Sequence, residues 1–455
     1  MAKATDVRVR EVEPSTERVA YRTPLKFGGV PSTHATLSTV RIRVETRDGR
    51  SAWGIGSMPF GNVWSFPSKK VAAADTARAM EVLSGKIVAR IATFDDVAHP
   101  VELAHRAEPE WVRLAGEVTR ELQLAEPMPA LAALVVASAF DAAIHDAYGR
   151  VHGRHVYECY GREWLEQDLS SYLDDRFRGE SLAQYSRPRP KPHLPLYHLV
   201  GALDALTDAD VKDRLADGLP NTLGEWIVKD QLTHLKVKLN GNDAAWDIER
   251  ILAIDRVATS TAPRAFTYSI DFNEQCPNVE YLLDVLRRVK ERSAACFDRV
   301  AYVEQPTARN LKAHPENKMH AAAALKPVVI DESLVDYESL LLSREQGYSG
   351  VALKSCKGQS QSLLMAAAAQ KFGMFLCVQD LTCPGLSYMQ SAGLAAHIGP
   401  VTAIEANARQ YCPAANASWA ARHPGLFTIR DGQVDTSVLS GLGLTTGPST
   451  ELRAG

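Results

Sequence analysis

Two hydrophobic periods divide this chain. Over residues 39–46 the pattern alternates strictly, with Val40, Ile42 and Val44 set against Arg41, Arg43 and Glu45. Arg47-Asp48-Gly49 then supplies a turn into residues 51–55, the signature of a hairpin with one buried face. Residues 18–65 as a whole read as antiparallel strands, and 68–92 and 95–150 as helices. The apolar run 129–140 is interrupted soon after by Asp141, His145 and Asp146, so it is judged too short for a bilayer and predicted to be a buried helix. From about residue 195 the period changes. Short apolar runs at 195–201, 234–239, 266–271, 299–304, 327–331, 350–354, 374–379 and 401–405 alternate with amphipathic helices; Leu282, Val285, Leu286 and Val289 trace one such helical face. Eight strands alternating with helices over roughly 210 residues predict an α/β fold of the (β/α)8 barrel type, preceded by an α+β N-terminal domain. A doubly wound sheet is the competitor, but it gathers its chemistry at one switch point. Here polar residues end five consecutive strands.

The expected layout is an α+β domain over 1–160, a linker or insertion over 161–194, a barrel over 195–409 and a tail over 410–455. The stretch 163–192 is charged and then proline-rich, which fits a surface excursion. The tail contains a strand-like segment at 425–434 and is expected to pack back on the N-terminal domain.

The strand ends carry the chemistry. Lys236 and Lys238 are two residues apart on a strand, so they point to the same face. Asp271, Glu304 and Asp331 end the next three strands, and Lys354 ends the sixth. Three converging carboxylates call for a divalent cation, and an oxygen-only donor set favours Mg2+. Lys238 and Lys354 lie four strands apart in an eight-stranded barrel, hence on opposite walls. Two bases facing each other across a metal suit removal of a proton next to a carboxylate, with Mg2+ and Lys236 stabilising the enediolate. Lys236 and the cation are expected to bring the Lys238 pKa down from about 10.4 toward neutrality. Asn273 and Gln305, beside the metal candidates, are expected to support the ligands; Glu332 is expected to be structural. Asp380 and Glu405 are weaker candidates for substrate contact, and Lys357 is the rival of Lys354.

Composition narrows the class. A formal charge of -3 gives no electrostatic case for nucleic acid or an anionic membrane. The 7 cysteines include no CxxC pair, so reduced thiols and a cytoplasmic location are expected. The start of the chain has no apolar signal-peptide core. None of the 13 histidines stands in an H-x-H or H-x-x-x-H pattern, so zinc is not expected.

These motifs together resemble the mandelate racemase/muconate lactonizing enzyme family of the enolase superfamily. LKVKLNG at 235–241 matches its K-x-K strand, SIDFN at 269–273, VEQP at 303–306 and IDES at 330–333 its three metal ligands, ALKSCKG at 352–358 its second-lysine strand and AIEAN at 403–407 its eighth. The resemblance implies an N-terminal capping domain with specificity loops at 23–33 and 57–67, a small carboxylate substrate, one Mg2+ per site and a homo-oligomer. It also implies an isomerase or lyase: racemase or epimerase, cycloisomerase, or dehydratase. The His–Asp dyad of the racemase subgroup is absent, since strand seven ends in Gln379-Asp380. The Asp-x-Asp by which dipeptide epimerases hold an ammonium reads Glu405-Ala406-Asn407. Two lysines are the muconate-lactonizing arrangement. The alternatives are a Schiff-base aldolase using one barrel lysine and a catalytically retired barrel acting as a binding protein.

Overall fold

The computed structural model describes residues 3–27 and 30–444. Three antiparallel strands open it, β1 (Val7–Phe27), β2 (Val30–Thr46) and β3 (Ser51–Pro59), side by side in that order. β1 begins well before residue 18, because β2 offers it a ladder as far as the Val7–Thr46 pair. Four helices follow: α1 (Asn62–Ser65), α2 (Ala73–Ile91), α3 (Pro100–Glu121) and α4 (Ala130–Val151). The alternation places Val40, Ile42 and Val44 on the inner face, all fully buried. A Cβ on Gly54 would come within 2.1 Å of Ala147 N, and one on Gly56 within 1.9 Å of Ala139 O. Only glycine there lets the α4 backbone lie directly on the sheet. At 22 residues α4 is long and apolar enough to cross a membrane, contrary to the sequence reading; its burial within the protein, not its length, marks it as a core helix.

Eight parallel strands follow: β4 (His193–Val200), β5 (His234–Lys238), β6 (Thr267–Asp271), β7 (Val300–Glu304), β8 (Val328–Ile330), β9 (Gly350–Leu353), β10 (Phe375–Val378) and β11 (Ile404–Glu405). Each pairs with the next, and β11 returns to β4 through Ile404–Leu196 and Glu405–Tyr197. The barrel is closed, as the eight apolar runs predicted.

The tail differs from expectation. After the helix Pro413–Arg422, the expected strand-like segment 425–434 begins in a short helix, Pro424–Phe427, and β12 (Gln433–Asp435) pairs antiparallel with β4, so this segment extends the barrel rather than the N-terminal domain. Further on, the chain does reach α4: Leu444 N donates to Asp146 Oδ1 at 2.8 Å. Residues 28 and 29 of the first expected specificity loop, and 445–455 of the tail, lie outside the described residues. The 163–192 excursion is packed, with Leu169, Phe177 and Leu182 buried in successive tight turns.

Inside the barrel, Tyr197, Tyr302, Val329, Ala352, Cys377 and Ala403 form an apolar layer. Two residues further along the same strands stand Leu199, Glu304, Asp331, Lys354, Gln379 and Glu405. A period of two carries the inward face from apolar filling to polar chemistry at the C-terminal mouth.

Candidate active site

Lys236 occupies the centre of this mouth, 1 % exposed. Its Nζ donates to Glu304 Oε1 at 2.9 Å, Gln379 Oε1 at 2.8 Å and Glu405 Oε2 at 3.0 Å. It also lies 3.1 Å from Asp271 Oδ2. Lys238, one turn of the pleat higher, donates to Asp271 Oδ2 and, at 2.9 Å, to Asn273 Oδ1. On the other side Lys354 Nζ is 2.6 Å from Asp331 Oδ2. Lys357 donates to Asp331 O at 2.5 Å and Oδ1 at 3.2 Å. The three predicted ligands and three predicted lysines therefore meet in one buried cluster, with Lys357 a fourth cation in it.

The supporting residues divide by what they hold. Gln305 bridges two strand ends: Oε1 accepts from Asp331 N at 2.9 Å, and Nε2 donates to Ser333 Oγ at 2.9 Å. Asn273 N donates to Asp271 Oδ1 at 2.8 Å, and its Nδ2 to Glu332 Oε1 at 3.2 Å. Both residues have positive φ, 29° for Gln305 and 42° for Asn273, a conformation that costs energy in non-glycine residues and clusters at functional sites. Asp380 is a correction. Its oxygens accept from Leu381 N at 2.8 Å, Cys383 N at 3.0 Å and Asn407 N at 2.9 Å, so it ties loops together instead of facing the mouth. Gln379 takes the inward place, which the period-two rule applied from Cys377 would have assigned to it.

Trp64 is the residue that sequence reasoning missed. Trp64, on α1, lays its ring 4.1 Å from Lys354 Nζ, and its Nε1 donates to Glu332 Oε1 at 2.8 Å. A cation over an indole face is an attractive contact, so the N-terminal domain supplies one wall of the site. The available signal was the position of Trp64 inside the expected specificity loop 57–67.

A family model described as enolase C-terminal domain-like matches residues 220–449. The chain belongs to the enolase superfamily. It falls in the mandelate racemase/muconate lactonizing branch of that superfamily. It is similar to the muconate lactonizing enzyme from Pseudomonas fluorescens complexed with muconolactone, with 18% identity, TM-score 0.60 and coverage of 98% of this chain and 97% of that one. It is similar to an enolase from Bradyrhizobium complexed with magnesium and mandelic acid, at 15% identity, TM-score 0.61 and 98% and 97% coverage. A dipeptide epimerase from Enterococcus faecalis complexed with Mg and L-Leu-L-Tyr gives 15%, 0.60, and 96% and 99%. No curated protein matches the sequence.

Charge in this enolase-superfamily site is set by how carboxylates and ammoniums interleave. Burial works to lower Lys236, but the carboxylates of Glu304, Glu405, Asp271 and Asp331 outweigh it and hold the ammonium well above the ordinary lysine range. Lys354 is raised likewise, burial being outweighed by Asp331. Burial and the neighbouring Asp331 push Glu332 up to about 7. Among the described residues no three His, Cys, Asp or Glu side chains are arranged to grip an ion as they stand, because lysine ammoniums lie between the carboxylates. The donor set nevertheless fits a hard cation: three carboxylates end neighbouring strands, and Glu304 Oε2 is buried without a hydrogen-bond partner.

Proposed function

We propose that this protein is a Mg2+-dependent acid–base enzyme that removes the α-proton of a small carboxylate, leading to racemisation or epimerisation, cycloisomerisation or dehydration. The observation that carries the reading is the placement of Lys238 and Lys354 on opposite walls, each paired to a different carboxylate of one buried cluster. Asp271, Glu304 and Asp331 would hold the cation, whose charge lowers the cost of the enediolate oxygens. Lys238 takes the proton from one face of the α-carbon. Lys354 returns a proton to the opposite face or to a leaving group, and Lys236, fixed by four acceptors, adds positive charge beside the carboxylate. Glu405 and Gln379 keep Lys236 aimed.

A Schiff-base lysine is best served by an apolar, desolvating pocket, and the acid-lined surroundings of all four lysines argue against that alternative. The test is α-proton exchange with solvent deuterium over a carboxylate library, with and without Mg2+. Lys238→Ala and Lys354→Ala should each lower exchange by about 10²–10⁴-fold, the ordinary weight of a general base, without weakening Mg2+ binding. Glu304→Gln should weaken Mg2+ binding first. Loss of exchange from both stereoisomers at the same rate in Lys354→Ala would remove Lys354 as the base of one face.

A further inference from the structure

The two sides of the mouth are built differently. Over Lys354 the N-terminal domain presses an aromatic ring directly on the ammonium. Over Lys238 there is a cavity of ≈ 180 Å³, lined by Lys26, Ala202, Lys238, Leu239, Asn240, Asn242, Asn273 and Gln275. Its lining includes the candidate base Lys238 and, from β1, Lys26. No Asp or Glu lines it. Among the described residues, Lys26 has no ion pair, and the side-chain amides of Asn240 and Asn242 have no protein partner. Gly241 has φ 74°, and a Cβ there would lie 2.7 Å from Gln275 Cβ. That glycine therefore brings the loop after β5 against the loop after β6 and sets both asparagines at the cavity.

We propose that this cavity seats the far end of the substrate, and that this end is a second carboxylate, bound by Lys26 and the side-chain amides of Asn240 and Asn242. The inference rests on the α-proton reading for the near end of the substrate. The lining chemistry selects the far end. An apolar tail would cover one ammonium and the two asparagine amides with nothing to pair them. An ammonium would face Lys26 and Lys238, two cations with no intervening acid in the lining. A carboxylate satisfies Lys26 and can accept from the amides. The volume is below the roughly 300–1,000 Å³ of pockets for drug-sized ligands, so the acid is small.

Three five-carbon probes with the same near end separate these cases: glutarate, pentanoate and 5-aminopentanoate. Their heats of binding are measured to the full-length protein in Mg2+. Glutarate should bind about 10–100-fold more tightly than the other two, the range of a hydrogen bond to a charged group. Lys26→Ala should reduce glutarate to the level of pentanoate, and Lys26→Arg should restore most of the difference. Equal binding of pentanoate and glutarate, no glutarate binding at all, or glutarate affinity unchanged in Lys26→Ala would overturn the proposal. The readout needs no turnover, so the two readings fail separately. Lys26-dependent glutarate binding with no α-exchange from any carboxylate sinks the reaction and keeps the cavity. Exchange confined to apolar-tailed acids and indifferent to Lys26 does the reverse.

Discussion

Trp64 joins two parts of the chain that no spacing rule connects, since its hydrogen-bond partner Glu332 lies 268 positions away. Its ring holds Lys354 by a cation–π contact worth about 0.5–2 kcal/mol, and its carbonyl accepts from Arg309 Nη2 at 3.1 Å. Trp64→Ala should therefore slow exchange on the face served by Lys354 by about 2–30-fold and spare the face served by Lys238. Trp64→Phe keeps the ring and should recover most of the loss; stereospecific exchange followed by proton NMR reads both faces at once. The acids and lysines were legible because each ends an apolar run, where a charge on the inward face has few structural excuses. Gln379 was passed over for Asp380 because charge was weighted above the two-residue period. Trp64 and Glu332 were not legible as a pair, because their meeting depends on how two domains dock.

At the scale of elements, the eight strands could be read, and so could the helical face of Leu282, Val285, Leu286 and Val289, which is buried in the helix Val279–Arg292; which side chains meet between elements could not. The turn after α4, at 155–157, and the end of the barrel helix Gly385–His397 meet through three stacked rings. Tyr157 lies 3.8 Å from His397, and His155 4.8 Å from it, between ring centroids. Burial holds His155 down at about 4 and His397 at about 3, the latter also opposed by His155. Both folded values lie below the unfolded value near 6.5. The stability they protect is therefore complete above pH 6.5 and is lost as pH falls from there toward 4, by up to about 1.4 kcal/mol per pH unit for each histidine. Urea denaturation at pH 7.5, 6 and 5 should show this slope, and His397→Phe should flatten it. A slope unchanged in that variant would place the acid sensitivity elsewhere.

For the whole molecule, the closed barrel and the antiparallel sheet domain followed from the change in hydrophobic period, while the route of the tail did not. Its residues 433–435 carry too few positions for a pattern to say which strand they join. What ties the tail to the N-terminal domain is Asp146, which accepts from Leu444 N at 2.8 Å, Ile55 N at 3.0 Å and Arg150 Nε at 2.8 Å. Asp146→Ala leaves the buried amides of Ile55 and Leu444 without their acceptor and should cost about 1–3 kcal/mol for each, read as a lower urea midpoint. The interface as a whole has a mechanical meaning. Besides the chain connection and Leu444, the N-terminal domain is held to the rest of the protein by Arg22 on Asp217, Ser57 on Gln390 and Trp64 on Glu332. These fastenings are spread around the mouth and do not lie on one line, so the domain cannot turn over the site about a single axis unless several of them break together.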